Sequence, residues 1–173
     1  MPFENLHMKR AIDLVLAVPL ALRLTLSGAA IALLVRLQDD GPAMHWSTRV
    51  GRNGRHFQMP KFRTMKVGTP QLATDKLNDP SSRLTSMAGA LRKLSLDEIP
   101  QLWSVIVGDM SLVGLRPALF NQNALIAERK ARRIDALRPG ITGWAQVNGR
   151  NDISDARKVE LDEEHLRRHG VAH

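Results

Sequence analysis

From Ala11 to Leu37 the chain reads AIDLVLAVPLALRLTLSGAAIALLVRL, with Lys9-Arg10 before it and Arg49, Arg52 and Arg55 after it. No other stretch restricts the fold as much. It is long enough for one membrane helix of about 20 residues. A basic start and an apolar run also describe a signal peptide, but the run is too long and no small-x-small cleavage site follows it. A single straight crossing meets two obstacles. Arg23 stands mid-run, where the bilayer centre costs roughly 2.5–3.5 kcal/mol on insertion scales. Basic residues flank both ends, whereas a spanning helix collects them on the cytoplasmic side. Both obstacles ease if the helix enters the membrane, breaks and returns to the same face. Ser27-Gly28 is the expected break and Pro19 the expected kink, because each weakens the hydrogen-bond ladder. A buried core helix of a soluble protein is the alternative.

The remainder is mixed and polar. Asp39-Asp40-Gly41-Pro42 ends the apolar helix, and Asn53-Gly54 between β-prone runs predicts a hairpin. Residues 68–82 read as a loop. Helical patterning is expected over Met87–Leu94, Asp97–Val107, Ala118–Leu137 and Ser154–Arg168, with Arg138-Pro139-Gly140 as a stop. The pattern is that of an α+β fold, predominantly helical, with a short hairpin. Residues 1–38 would form the membrane-embedded part and residues 39–173 a small catalytic domain.

Charge narrows the function. The 173 residues carry 25 Lys and Arg against 17 Asp and Glu, a net charge of +8 that asks for an anionic partner. Aromatic residues are 4% of the chain and tyrosine is missing, so the stacking platforms of single-strand nucleic-acid binders are not there. With no cysteine, a disulfide framework, a thiolate zinc site and a cysteine nucleophile are excluded. His56 and His165 lack metal-ligand spacing and are expected at the surface. The basic run Arg129–Arg133 suits solvent or anionic lipid headgroups.

Leu94-Ser95-Leu96-Asp97-Glu98-Ile99-Pro100 admits two readings. In the first, Ser95 and Glu98 form a capping box, with Pro100 tolerated in a first helical turn. In the second, Asp97 and Glu98 supply an ionised carboxylate as nucleophile and another as metal ligand. The spacing alone does not choose between them.

Four blocks in order, KFRTM (Lys61–Met65), LRKLSLDEIPQLW (Leu91–Trp103), GDMSLVGLRP (Gly108–Pro117) and RPGITGWAQVNGRN (Arg138–Asn151), resemble the monotopic phosphoglycosyl transferases, or bacterial sugar transferases. The KRAID start, the VGRNG turn and KVELD (Lys158–Asp162) are similar too, so the resemblance runs from Lys9 to about Leu166. It implies an enzyme on the cytoplasmic face of the inner membrane, held by a re-entrant helix. Such an enzyme transfers a sugar 1-phosphate from a UDP-sugar to undecaprenyl phosphate, releases UMP and begins polysaccharide assembly. By the same resemblance Asp97 is the nucleophile, forming an aspartyl-phosphosugar intermediate, and Glu98 binds Mg2+.

Lys61, Arg63, Arg92, Arg116 and Arg138 lie in or beside these blocks and are expected to bind substrate phosphate, Arg116 above all. Trp144, Asn148 and Arg150 are candidates for a substrate loop, although Trp144 also suits core or interface packing, as does Trp103. Asp109 is assigned to a turn. Asp152, Glu160 and Asp162 would either support the site or face solvent. Membrane lipid is an expected partner, nucleic acid is not, and a homodimer is left open. Two departures from the family pattern stand out. Ser27-Gly28 replaces the usual Ser-Pro break, and Leu115 replaces the first proline of a Pro-Arg-Pro turn, which predicts a looser Arg116 loop. The chain also stops at His173, where members usually continue, so a truncated C-terminal segment is expected.

Overall fold

The computed structural model describes residues 4–38, 40–72, 79, 81–149 and 153–168. Arg150, Asn151, Asp152 and most of the expected 68–82 loop's centre lie outside them. The fold mixes helix and sheet, with helix predominating.

The apolar run forms one uninterrupted helix, α1 (Glu4–Gln38), with Pro19 inside it. The helix continues through Ser27-Gly28, where a break was expected. Gly28 faces Phe62 with room for a side chain, since a Cβ there would meet the ring at 3.8 Å, an ordinary contact. By length and composition α1 could cross a membrane, yet it lies against the rest of the protein along its course. At its start, Arg10 donates to the Val105 and Ile106 carbonyls at 2.5 and 2.8 Å, while Lys9 reaches the Val113 carbonyl at 2.9 Å. Asp13 is buried and accepts from the Ser111 hydroxyl at 2.8 Å and the Leu112 amide at 3.1 Å. That accounts for an acidic residue inside an apolar run: both its oxygens are partnered. Further along, Ala17, Ala21 and Leu24 pack with Met59, Leu102, Val105 and Met110. Ile31 and Val35 pack with Phe62 and Leu91. At the far end the Gln38 side chain accepts from Ser86 at 2.8 Å and the Met87 amide at 3.1 Å. The opposite face stays apolar and open, with Val15 69%, Leu22 72% and Leu26 85% exposed. Arg23 is on that exposed side.

The hairpin forms where Asn53-Gly54 places it. β1 (Met44–Val50) and β2 (His56–Phe62) pair antiparallel, Ser47 opposite Met59 and Arg49 opposite Phe57. Asn53 and Gly54 both take positive φ, 55° and 75°, the backbone a tight hairpin turn needs. β4 (Ala118–Leu119) adds to the other edge of β1, Arg49 opposite Leu119, giving the order β2-β1-β4. Two short helices follow the hairpin, α2 (Ala88–Lys93) and α3 (Gln101–Val107), joined by a one-turn 3-10 segment, Leu96–Glu98. A second, parallel sheet joins β3 (Ser111–Val113) to β5 (Gly140–Thr142).

The predicted helix over Ala118–Leu137 is shorter than expected. Its start is β4, its middle is α4 (Asn123–Ala131), and Arg133 at φ 57° turns the chain into a 3-10 segment, Ile134–Ala136. Tertiary pairing with β1 wins Ala118–Leu119 from the helical periodicity. Two further helices follow, α5 (Trp144–Val147) and α6 (Asp155–Arg168). A third apolar cluster, with Leu115, Leu125, Ile134, Val159 and Leu166, holds α4 and α6 to the Arg116 loop.

Candidate active site

Asp97 and Glu98 sit on the one-turn segment between α2 and α3. The capping box does not form. Ser95 adopts the left-handed conformation, φ 56°, and makes no side-chain cap. Pro100 occupies the N-cap of α3, where its missing N–H costs nothing. Freed from a cap, the Glu98 carboxylate faces β2.

Strand alternation brings the cations to it. Ser47 and Arg49 on β1 share one face of the hairpin with Met59 and Lys61 on β2. Lys61 Nζ donates to Glu98 Oε1 at 2.9 Å and stands 3.9 Å from Asp97 Oδ2. Arg116 Nη2 approaches the same Glu98 oxygen at 3.4 Å from the loop before β4. Arg49 completes a narrow cleft with Lys61, Glu98 and Arg116, floored by Met59 and Ile141. Its Nε donates to the Ser47 hydroxyl at 3.0 Å and its Nη1 to the Pro117 carbonyl at 3.1 Å.

The electrostatics follow from burial. Asp97 is 6% exposed, and burial raises its pKa against the pull of Lys61 and Arg92. Glu98 is held below the usual carboxylate range: Lys61 and Arg116 outweigh the burial that would raise it. Lys61 is pushed down by burial, partly offset by Glu98. Burial, together with the Arg116 charge, takes Arg49 to about 10. The adjacent carboxylates thus differ in character, Glu98 firmly ionised and Asp97 the more basic. Four cations act on these two carboxylates, namely Arg49, Lys61, Arg92 and Arg116. Such an excess in a partly desolvated cleft fits a ligand bearing several negative charges.

The other sequence candidates are placed as follows. Arg92 donates to the Thr64 hydroxyl at 3.0 Å, beside Asp97. Arg63 is buried beneath the turn after α1, with Nη1 3.3 Å from the Asp40 carbonyl; a Cβ on Gly41 would strike that guanidinium. Arg138 shares its field with Arg10, Arg52 and Asp13 near the start of α1. Trp144 turns to α6, donating to Glu164 at 3.0 Å with the Arg168 guanidinium 4.9 Å above its ring. Asn148 bonds back to the Trp144 carbonyl at 2.9 Å. Trp103 is 59% exposed rather than core, while His165 and Arg129, expected at the surface, are each 6% exposed. A wider depression on α6, lined by Arg157, Glu160, Glu164, Arg167 and Arg168, holds charges that largely pair with one another.

Sequence reading missed Arg49 as a site residue, treating it only as a flank of the apolar run. A signal was present: Arg49 keeps the two-residue alternation of Ser47 and precedes the Asn53-Gly54 turn, so its face follows from the hairpin register.

For a metal ion the donors are few. Among the described residues no group of three or more His, Cys, Asp or Glu could hold one. Asp97 and Glu98 offer only hard carboxylate oxygens, one of them firmly ionised, which fits Mg2+, a cation that keeps water and needs one or two carboxylates beside substrate phosphate.

The model of the bacterial sugar transferase family matches residues 4–173. The chain is 42% identical over 158 residues to an uncharacterized sugar transferase, EpsL, of Bacillus subtilis, covering 90% of this chain and 75% of that protein. It is 36% identical over 178 residues to the UDP-glucose:undecaprenyl-phosphate glucose-1-phosphate transferase of Escherichia coli, covering 96% of this chain and 38% of that one. Over 166 residues it is 37% identical to an Aeromonas hydrophila transferase named for UDP-N-acetylgalactosamine and undecaprenyl phosphate, covering 89% of this chain and 38% of the relative. The chain therefore spans less than half the length of the latter two.

Proposed function

This chain belongs to the bacterial sugar transferase family, and from that premise we propose that it transfers a sugar 1-phosphate from a UDP-sugar to undecaprenyl phosphate. The names of its relatives support the donor and acceptor classes. The observation that carries the reading is the Asp97–Glu98 pair set among Lys61, Arg49 and Arg116.

Asp97 attacks. One carboxylate oxygen forms a bond to the phosphorus that bears the sugar, and the bond from that phosphorus to the bridging oxygen breaks. The electron pair leaves with UMP. An oxygen of the lipid phosphate then attacks the same phosphorus and expels the Asp97 carboxylate, leaving the sugar on a lipid diphosphate. Burial makes Asp97 a stronger base than an exposed carboxylate, and Lys61 and Arg92 oppose its protonation. Arg49, Lys61 and Arg116 bind and orient the phosphate oxygens, with the arginine forks suited to paired contacts. Glu98, with Asp97 beside it, is the group that would hold Mg2+. When bound, the ion would supply charge neutralisation to the diphosphate.

α1 belongs to the same reading. Contacts from Lys9 to Gln38 span about 44 Å of helix at 1.5 Å per residue. A perpendicular crossing would carry the packed domain into the bilayer with it. The apolar outer face suits a helix held at one membrane face, with the catalytic domain on the cytoplasmic side. Cysteines at Glu4 and Thr69 should then be equally shielded from an impermeant thiol reagent added to intact cells. Labelling of the first site alone would make α1 a crossing helix.

The chemistry is tested by incubating the full chain with candidate UDP-sugars carrying labelled phosphate next to the sugar. Label should stay on the protein, with UMP released before any acceptor is added, and should leave with hydroxylamine or undecaprenyl phosphate. UMP release that waits for the lipid would remove the covalent step.

A further inference from the structure

Leu115 was expected to loosen the Arg116 loop, but each carbonyl of that loop is taken. The Leu115 carbonyl accepts from the Gly140 amide at 2.8 Å. The Arg116 carbonyl accepts from Arg129 Nη1 at 2.9 Å, and the Pro117 carbonyl from Arg49 Nη1 at 3.1 Å. Two guanidiniums from different elements thus grip consecutive peptide units.

Arg129 is the less expected of the two. It comes from α4 and is 6% exposed. Its Nε and Nη2 both donate to Asp162 Oδ2 on α6, at 3.1 and 2.7 Å. Asp162 is 1% exposed. The pair borders the apolar cluster of Leu115, Leu125, Ile134, Val159 and Leu166. In such surroundings a buried ion pair is poor value for stability, since apolar side chains of similar size often do as well. What apolar side chains cannot do is donate to the Arg116 carbonyl. The two-sided hold on Asp162 leaves the remaining Nη1 only one direction, toward that carbonyl.

We propose that Arg129, oriented by Asp162, is a positioning residue that fixes the Arg116 loop so that the Arg116 guanidinium meets the phosphates of a nucleoside diphosphate at Glu98. This rests on the transferase reading for the identity of the ligand. Arg129 itself is far enough into the core that it acts only through Arg116. A lysine at 129 keeps the charge for Asp162 but lacks the planar fork needed to hold the carboxylate and the carbonyl together.

The test is a double-mutant cycle on the full chain, with UDP binding followed by calorimetry in the presence of Mg2+. Arg129→Lys should weaken UDP about tenfold, the scale of a charge-assisted hydrogen bond lost. In an Arg116→Ala background the same change should cost nothing further. A second variant, Arg129→Met with Asp162→Leu, replaces the pair by apolar side chains, should still unfold cooperatively with at most the stability loss of one hydrogen bond, and should show the same loss of UDP binding. Equal losses with and without Arg116, or no loss in these folded variants, would overturn the proposal. Transfer to undecaprenyl phosphate is measured alongside. Coupled UDP binding without any transfer would sink the transferase reading and leave the positioning role standing; transfer without coupling would do the reverse.

Discussion

The cleft at Asp97 and the outer face of α6 are both crowded with charge, and they use it in opposite ways. On α6 nearly every charge has a neighbour of opposite sign: Arg157 with Glu160 at 2.7 Å, Lys158 with Asp155 at 2.8 Å, and Arg168 with Glu164. In the cleft, Arg49, Lys61 and Arg116 crowd round Glu98, and burial disfavours the charged form of both Arg49 and Lys61. Holding like charges together in a partly dry place raises the free energy of the empty protein. Such cost is usual at a site built for an anion, because the ligand supplies the missing counter-charge. Matched charge at the surface is worth little to anyone; unmatched charge in a cleft marks where chemistry is set up.

The largest effect should come from Asp97→Asn. An amide does not attack phosphorus, so protein labelling by the UDP-sugar should vanish, while Asp109→Asn, on an exposed turn, should label normally. The melting temperature should rise rather than fall. Asp97 is a buried carboxylate whose folded pKa lies above its ordinary value, so ionising it above that pKa costs stability, and the amide removes the cost. Residual labelling in Asp97→Asn would move the nucleophile elsewhere.

Glu98→Gln comes next. With no capping box at Ser95, the loss is electrostatic: Lys61 and Arg116 lose their shared counter-charge and the cation site loses its ionised ligand. Turnover should fall by about 10^3-fold, a scale seen when a preorganised charge partner is removed. Near-normal turnover with unchanged Mg2+ dependence would strip Glu98 of its role.

Much of this contrast is legible in the sequence. The Asn53-Gly54 turn set the hairpin, and the hairpin register alone places Lys61 and Arg49 on one face. Local chemistry at a turn is strong enough to be read from two residues. The resemblance picked out Asp97, Glu98, Lys61 and Arg116, which the structure brings together. It also grouped Arg63 and Arg138 with them, and these sit instead at the turn after α1 and near its start. Position within a block says nothing about which way a long side chain leaves the backbone. Arg129 and Asp162 were harder still. A basic run on a polar helix reads as surface, and only the packing of α4 on α6 decides that Arg129 turns inward while Arg132 pairs with Glu128 outside. The continuous α1 has a similar cause: Gly28 weakens a helix in isolation, but the packing of Ile31 and Val35 on Phe62 and Leu91 holds the helix beyond it.

Lys61→Met should move the acid side of the pH–rate profile. Asp97 must be ionised to attack, so the rate falls as pH drops through its pKa. Lys61 now opposes the rise that burial causes. Without it that pKa climbs further, and the fall in kcat/KM should begin about one pH unit higher, the scale of a nearby charge. A profile that keeps its midpoint would mean that Asp97 does not govern the acid limb.

The smallest effect is expected on α6, and it completes the comparison. Arg157 and Glu160 lie 2.7 Å apart, but their side chains are 57% and 55% exposed. Water screens the pair, and ordering two long side chains offsets what attraction is left, so exposed pairs of this kind contribute about 0–1 kcal/mol. Glu160→Gln should therefore leave turnover unchanged and shift the melting temperature by no more than about 2 °C. Raising salt from low to physiological strength should shrink that difference further, since an exposed pair weakens as the Debye length contracts to about 8 Å. A clear loss of turnover in Glu160→Gln would give the α6 face a ligand of its own. Paired charge would then no longer distinguish a supporting surface from a working site, and the cleft's excess of cations would have to be argued from its burial alone.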